Sequence, residues 1–268
     1  MRRLSVIGNI SRDHTCYPDG RGSERFGGAA FHVAVAAARA GARATPVSVI
    51  GDDLRDDVPA VLRASQVDLT ALLAKPGRST SFAMEYDLED RLVGVTAAYG
   101  VAEQLTAHAL ARVARHPHDW YHVCCRHPLD AAPVLQALSA CGSSFSVDFI
   151  VSSIEHTLAR TAHLLPHADI VFTNADEYRV LARQVDISSL RTVIVSNGPQ
   201  AVHLLEQGRD VLTVMPPTAA PEEVTGAGDT LAGTFLAHRI AGHDDRTALR
   251  AAVAAASAHV LVSPPHRR

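Results

Sequence analysis

At 268 residues the chain has the length of one large domain, or of one domain with a small appendage, and its 47% hydrophobic content is ample for a buried core. A formal charge of −3 gives no electrostatic footing for nucleic acid or for a membrane surface, and positive charge rests on Arg because Lys is nearly absent. The apolar run at the N-terminus is too short for a signal peptide or a membrane helix, so a cytoplasmic location is expected.

The predicted elements alternate between strand and helix. A strand is predicted over 4–8, an Ala-rich helix over 29–40 stopped by Gly41, a strand over 45–50 and a short helix over 56–64. After a break come a helix over 101–115, a strand over 120–125, a helix over 129–141 ended by Gly142, and a strand over 145–149. A helix over 153–165, a strand over 170–173, a helix over 175–182 and a strand over 192–196 follow. Segments 201–206 and 211–214 read as a hairpin around Gln207-Gly208-Arg209. The last two helices run from Gly228 to about Ile240 and over 246–262, before Pro264-Pro265. This rhythm predicts an α/β fold with a mostly parallel sheet and helices on both faces. The break is the pair 80–87 and 92–96 around a polar turn, which reads as an antiparallel hairpin, and residues near 11–26 are loop- or strand-like. No internal repeat, linker or low-complexity segment divides the chain.

The four cysteines form no CxxC pair, and buried free thiols in a reducing compartment are expected. The fifteen histidines are scattered without metal-ligand spacing, and most read as surface residues.

The segment that carries chemistry is Glu223-Val224-Thr225-Gly226-Ala227-Gly228-Asp229-Thr230. Gly226 and Gly228 allow a tight turn and close approach of backbone to a ligand. The helix that begins there offers free N–H groups and a positive dipole end, so Gly226, Ala227 and Gly228 form an anion site suited to a phosphate. Asp229, in the first turn, is placed to take a proton from an attacking hydroxyl. A base beside an anion hole is what phosphoryl transfer to an alcohol requires.

Thr225 to Asp229 resembles the C-terminal signature of the PfkB (ribokinase-like) carbohydrate kinase family, although Glu223 and Val224 replace the family's leading Asp and first Thr. The resemblance extends over almost the whole chain and implies a three-layer α/β/α sandwich with a small β-sheet lid, formed by roughly 11–26 and 79–99. It implies Asp229 as general base and Gly226–Asp229 as anion hole. Asp13, in Gly8-Asn9-Ile10-Ser11-Arg12-Asp13, matches a carboxylate that accepts hydrogen bonds from substrate hydroxyls. Gly27 and Gly28 match the family's substrate glycines. His32 stands where the family often has Asn, and reads either as a pocket residue or as a structural one. Arg126 falls where ribokinases carry an acidic residue, and reads either as a holder of a substrate anion or as a surface arginine at a strand end. Asn174 and Glu177 match an Asn-x-x-Glu motif tied to Mg²⁺ and the nucleotide phosphates, with Glu177 acting through water; an N-cap role for Asn174 is compatible with this. Ser196 and Gly198, with Thr225, match residues that line the nucleotide site. Val253 replaces a polar residue near the adenine. ATP and Mg²⁺ are the cofactors so implied, and a monovalent-cation requirement stays open. The acceptor is a sugar or, alternatively, a nucleoside, with Phe31, Phe82 and Tyr99 as candidates for stacking on a base. A sugar acid or sugar phosphate would suit Arg126. A pairing of two lids into a homodimer is compatible with the exposed strands, and a non-catalytic binding relative is the alternative of another class.

Overall fold

The computed structural model describes residues 2–89, 91–217 and 226–261. Its strands are β1 (Leu4–Ile7), β2 (Ser11–Cys16), β3 (Gly22–Gly27), β4 (Ala44–Ile50), β5 (Leu72–Ala74), β6 (Thr80–Tyr86), β7 (Leu92–Ala98), β8 (Trp120–Cys124), β9 (Phe145–Asp148), β10 (Ile170–Asn174), β11 (Thr192–Ser196), β12 (Val202–Glu206) and β13 (Arg209–Val214). Its helices are α1 (Ala29–Arg39), α2 (Asp57–Ala64), α3 (Leu105–Arg115), α4 (Ala131–Ala140), α5 (Ile154–Thr161), α6 (Ala175–Gln184), α7 (Ala227–Ile240) and α8 (Asp245–Leu261).

Nine strands form one sheet in the order β13-β12-β11-β10-β9-β8-β1-β4-β5. Pairings from β11 across to β5 are parallel, and β12 and β13 add an antiparallel edge. Side chains alternate across each strand, which splits the core into two layers. Leu4, Val6, Ile170, Phe172 and Ile194 face α1, α2, α7 and α8. Ile7, Tyr121, Val123, Phe145, Val147, Val171 and Val193 face α3, α4, α5 and α6. This is the α/β/α layering expected from the sequence. The chain adds β4 and β5 on one side of β1 and then β8 to β11 on the other, so the order reverses between β1 and β8. A crevice at the carboxyl ends of these two strands is where open α/β sheets bind ligands.

Segments 11–26 and 79–99 form a separate four-stranded sheet, β3-β2-β6-β7, in which β2 pairs parallel with β6. Residues near 11–26, which read only as loop- or strand-like, are the hairpin β2–β3. The edge strand β7 leaves Val93 and Val95 exposed.

Several boundaries differ from expectation. The helix predicted over 101–115 begins as a 3₁₀ turn, Gly100–Gln104, whose free Val101 N–H donates to the Arg78 carbonyl (2.9 Å). The helix predicted over 153–165 gives way to a 3₁₀ turn, Ala162–His167, containing Pro166, which has no N–H to continue an α-helical ladder. The short strand β5 was not predicted. Leu72 and Leu73 are only partly buried and Ala74 is exposed, and the segment acquires its extended form by pairing with β4. Two of the four cysteines, Cys16 and Cys141, are exposed, whereas Cys124 and Cys125 are buried and all four are free. Among the described residues no helix is long and apolar enough to cross a membrane.

Candidate active site

The same alternation that builds the core also builds the site. Tyr121 and Val123 point to one layer, so His122, Cys124 and, beyond the strand, Arg126 fall toward the other, where α1 and α7 lie. Parity does the same on β9: Phe145 and Val147 face α3–α6, and Ser146 and Asp148 face the opposite side. Residues from β8 and β9 therefore meet the first turns of α1 and α7 at the carboxyl edge of the sheet.

Gly226 caps α7 in the left-handed region with φ 79°, and its carbonyl accepts from Thr230 N (2.8 Å). A Cβ at this position would lie 3.2 Å from both His32 Nδ1 and His259 Nε2, so two imidazoles wall that face of the loop. Ala227 and Gly228 follow in the first turn of α7, and Gly228 has open space where a Cβ would stand. Thr225, together with Glu223 and Val224, lies outside the described residues.

Asp229 lies in the first turn of α7 with its side chain 14% exposed, and its Oδ1 is 3.7 Å from Arg126 Nη2. Burial raises its carboxyl above the ordinary range, and the Arg126 guanidinium opposes that. Asp148 adds to the rise, while His32 and His122 act against it. Arg126 is no surface residue: its Nη2 is hydrogen-bonded to Asp148 Oδ2 and lies 3.4 Å from the Phe149 carbonyl. Burial works against the guanidinium cation, but Asp148 and Asp229 outweigh it and hold the group charged. His122 is fully buried, its Nδ1 is 2.9 Å from Ser146 Oγ, and burial pushes it down to about 3, so the ring is neutral. His122, Cys124 and Asp148 place ligand atoms within 4.8 Å of one another. The Arg126 cation bonded to Asp148 already supplies the positive charge there, so a divalent ion would stand against a guanidinium.

The small sheet contributes Asp13 on β2. Its Oδ1 accepts from Ser11 Oγ (2.7 Å), and burial raises its carboxyl, offset by the Ser11 hydroxyl and by His32 and His14. His32 on α1 thus acts on both Asp13 and Asp229. Gly27 is required by close approach: a Cβ there would fall 2.0 Å from Asp13 Oδ2. Gly28 caps α1 at φ 92°, and its Cβ would strike the Asn9 carbonyl at 2.4 Å. Gly27→Ala is therefore expected to displace the Asp13 carboxylate and raise the acceptor KM at least about tenfold, the equivalent of one charged hydrogen bond. An unchanged KM in steady-state kinetics would show that Asp13 does not hold the acceptor.

In β2 and β6, Asp13 and Phe82 are register partners, so they share a face of the small sheet. Phe82 meets Tyr99 edge-on at 6.0 Å, and Tyr99 meets His127 at 4.1 Å, both nearly perpendicular. Phe31 is buried in the core, where it contacts Phe26 and His32.

On the other side, Asn174 ends β10 and caps α6. Its Oδ1 accepts from Asp176 N and Glu177 N, each at 2.9 Å, and Glu177 Oε2 accepts from Asn174 N at 2.9 Å. This is a reciprocal capping box. Glu177 is 7% exposed, and burial raises its carboxyl, as does the charge of Asp148. Ser196 closes β11 beside Asn174 and donates to the Thr173 carbonyl (3.4 Å), with Gly198 at φ 54° just beyond. Val253 is buried in the core of the α1–α7–α8 layer.

Sequence reasoning missed Asp148, His122, His127 and His259. A lone carboxylate closing the apolar strand 145–149 was the available signal for Asp148. Nothing local marks His259, which meets Gly226 only because α8 packs beside α7.

Comparison with known proteins bears on the fold and the family. A cytidine kinase from Thermococcus kodakarensis is 28% identical over 257 residues, covering 88% of each chain. The structure of a Burkholderia thailandensis nucleoside kinase in complex with inosine superposes with a TM-score of 0.80 at 17% identity, over 99% of this chain and 93% of that one. A putative ribokinase II from E. coli, in complex with ATP and Mg²⁺, gives a TM-score of 0.80 at 19% identity, over 99% and 94%. The sequence profile of the pfkB family carbohydrate kinases matches residues 1–264. With that profile covering nearly the whole length, the chain belongs to the pfkB family of carbohydrate kinases, phosphotransferases that use an alcohol group as acceptor.

Proposed function

We propose that the chain transfers the γ-phosphoryl group of ATP to a hydroxyl of a nucleoside. Asp229 removes the hydroxyl proton as the oxygen attacks phosphorus, an O–P bond forms, and the bond to the β-phosphate oxygen breaks. Backbone N–H groups at the start of α7 receive the charge that builds on the transferred group. Asp13 and the glycines before α1 hold the acceptor, and the small sheet acts as a lid that keeps water from competing as nucleophile. The buried Glu177 carboxylate, fixed by its capping box, would hold Mg²⁺ through water, because that ion prefers oxygen donors and keeps much of its hydration shell. When bound, Mg²⁺ would neutralise charge on the nucleotide phosphates.

The observation that favours a nucleoside over a free sugar is Phe82, which shares Asp13's face of the small sheet and meets Tyr99 edge-on, with His127 in turn against Tyr99. A cytidine kinase among the relatives supports the same reading. The deciding experiment is a mass-spectrometric screen of ATP–Mg²⁺ turnover against nucleosides, pentoses, hexoses, sugar acids and sugar phosphates. Nucleosides are expected to be phosphorylated. Phe82→Ala is expected to raise their KM about tenfold, the scale of one base stacked on an aromatic ring, without changing turnover of any free sugar. Turnover of sugars and not nucleosides would replace this reading with a sugar kinase.

A further inference from the structure

Arg126, Asp148 and Asp229 come from the ends of β8 and β9 and the start of α7, and they form one chain of charges. Asp148 holds the guanidinium from one side, the Phe149 carbonyl holds it from another, and the Asp229 carboxylate stands 3.7 Å away. With Asp148 already bonded to it and Asp229 beside it, this arginine has little unmatched charge to offer a substrate anion. The geometry argues against the anionic-acceptor reading of Arg126 and toward a different one.

We propose that Arg126 is a positioning residue: anchored by Asp148, its guanidinium keeps the Asp229 carboxylate ionised and aimed into the crevice. The idea rests on Asp229 as the base of the proposed reaction. A carboxylate taken out of water beside a second carboxylate tends to hold its proton and cannot then accept another from the acceptor hydroxyl. The charges that face Asp229 are Arg126 beyond β8, His122 on β8, Asp148 on β9 and His32 on α1. Glu177 on α6 acts on the same arginine. Of these, Arg126 is the fixed cation. His122 is held neutral, and Asp148 works in the opposite sense. The two partners of the arginine therefore have opposed effects on the base: Arg126 favours its charged form, and Asp148 opposes it while holding Arg126 in place.

The test is a pair of pH titrations on Arg126→Gln, Arg126→Lys and Asp148→Asn. One follows kcat/KM against pH. The other follows the Asp229 carboxyl directly by ¹³Cγ NMR of Asp-labelled protein, with Asp229→Asn to assign the signal. In Arg126→Gln, both the acidic limb and the Asp229 titration are expected to move up by about one pH unit or more. The rate should then fall about tenfold at the acid end and recover toward alkaline pH. Asp148→Asn should move both the other way, and Arg126→Lys should lie near wild type. A loss that is equal at all pH with an unmoved Asp229 titration would overturn the proposal, as would shifts of the same sign in Arg126→Gln and Asp148→Asn. If Arg126→Gln or Asp148→Asn fails to fold, Arg126→Lys decides: a charge-retaining variant that loses activity evenly across pH contradicts an electrostatic role. A titration that moves as expected while Asp229→Asn stays active would uphold the positioning role and remove the general-base reading instead.

Discussion

Asp229→Asn is expected to lower kcat by about 10²–10⁴-fold, the range that a positioned general base contributes. The Asn amide is nearly isosteric with the carboxylate and keeps an oxygen in place, but it cannot accept the proton of the attacking hydroxyl. Asp229 lies in the first turn of α7 beside the glycine turn, with Arg126 Nη2 at 3.7 Å. The substitution removes one negative charge from a cluster that also holds Asp148, so Arg126 stays paired and the fold should be retained. Nucleotide affinity, measured by calorimetry, should change by no more than a few-fold, because Asn174, Glu177, Ser196 and Gly198, which match the family's nucleotide site, lie at or just beyond the ends of β10 and β11. A kcat within a factor of a few of wild type would mean that the proton leaves by another route.

Gly226→Ala carries the second large effect, and it acts through geometry. The residue has φ 79°, a left-handed conformation that costs a side-chain-bearing residue about 1–2 kcal/mol. The new Cβ would also come within 3.2 Å of His32 Nδ1 and His259 Nε2. One of the two rings or the loop must give way, and the N–H groups at the start of α7 turn with it. The expected result is a fall in kcat of about 10²–10³-fold, comparable to losing one oxyanion-hole donor, with a Tm lowered by several degrees. Gly228→Ala is the internal control for stability: that residue has no positive φ, and its Cβ would meet nothing within 4 Å. Its Tm should stay close to wild type. Equal thermal destabilisation by the two substitutions would show that the left-handed turn at Gly226 is not what the loop depends on.

The two glycines illustrate how far the sequence could be read. Gly226-Ala227-Gly228-Asp229 announced a turn, a helix start and a carboxylate in its first turn, all local properties that neighbouring residues determine. Both glycines looked alike there, and only the backbone angles separate the one that needs its missing Cβ from the one that does not. Asn174 and Glu177 were legible for the same reason, since a capping box is closed within one turn. The alternation of strands and helices gave the layering, and most element ends fell close to expectation. Among the exceptions, β5 takes its extended form from pairing with β4, far from it in sequence. Arg126 marks the limit. In sequence it is an arginine after an apolar strand, equally suited to a surface or to a substrate anion. Its pairing with Asp148 and Asp229 depends on β9 lying next to β8 and on α7 packing over the same face.

By itself the sequence determined the α/β class, the glycine turn that opens a helix with Asp229 in its first turn, and the family, because these follow from period, turn chemistry and short motifs. The tertiary structure alone decided which charges face Asp229, that His32 and His259 bracket Gly226, and that Phe82 stands beside Asp13. Those contacts join segments far apart in the chain, and strand order and side-chain parity, which no short stretch of sequence encodes, bring them together.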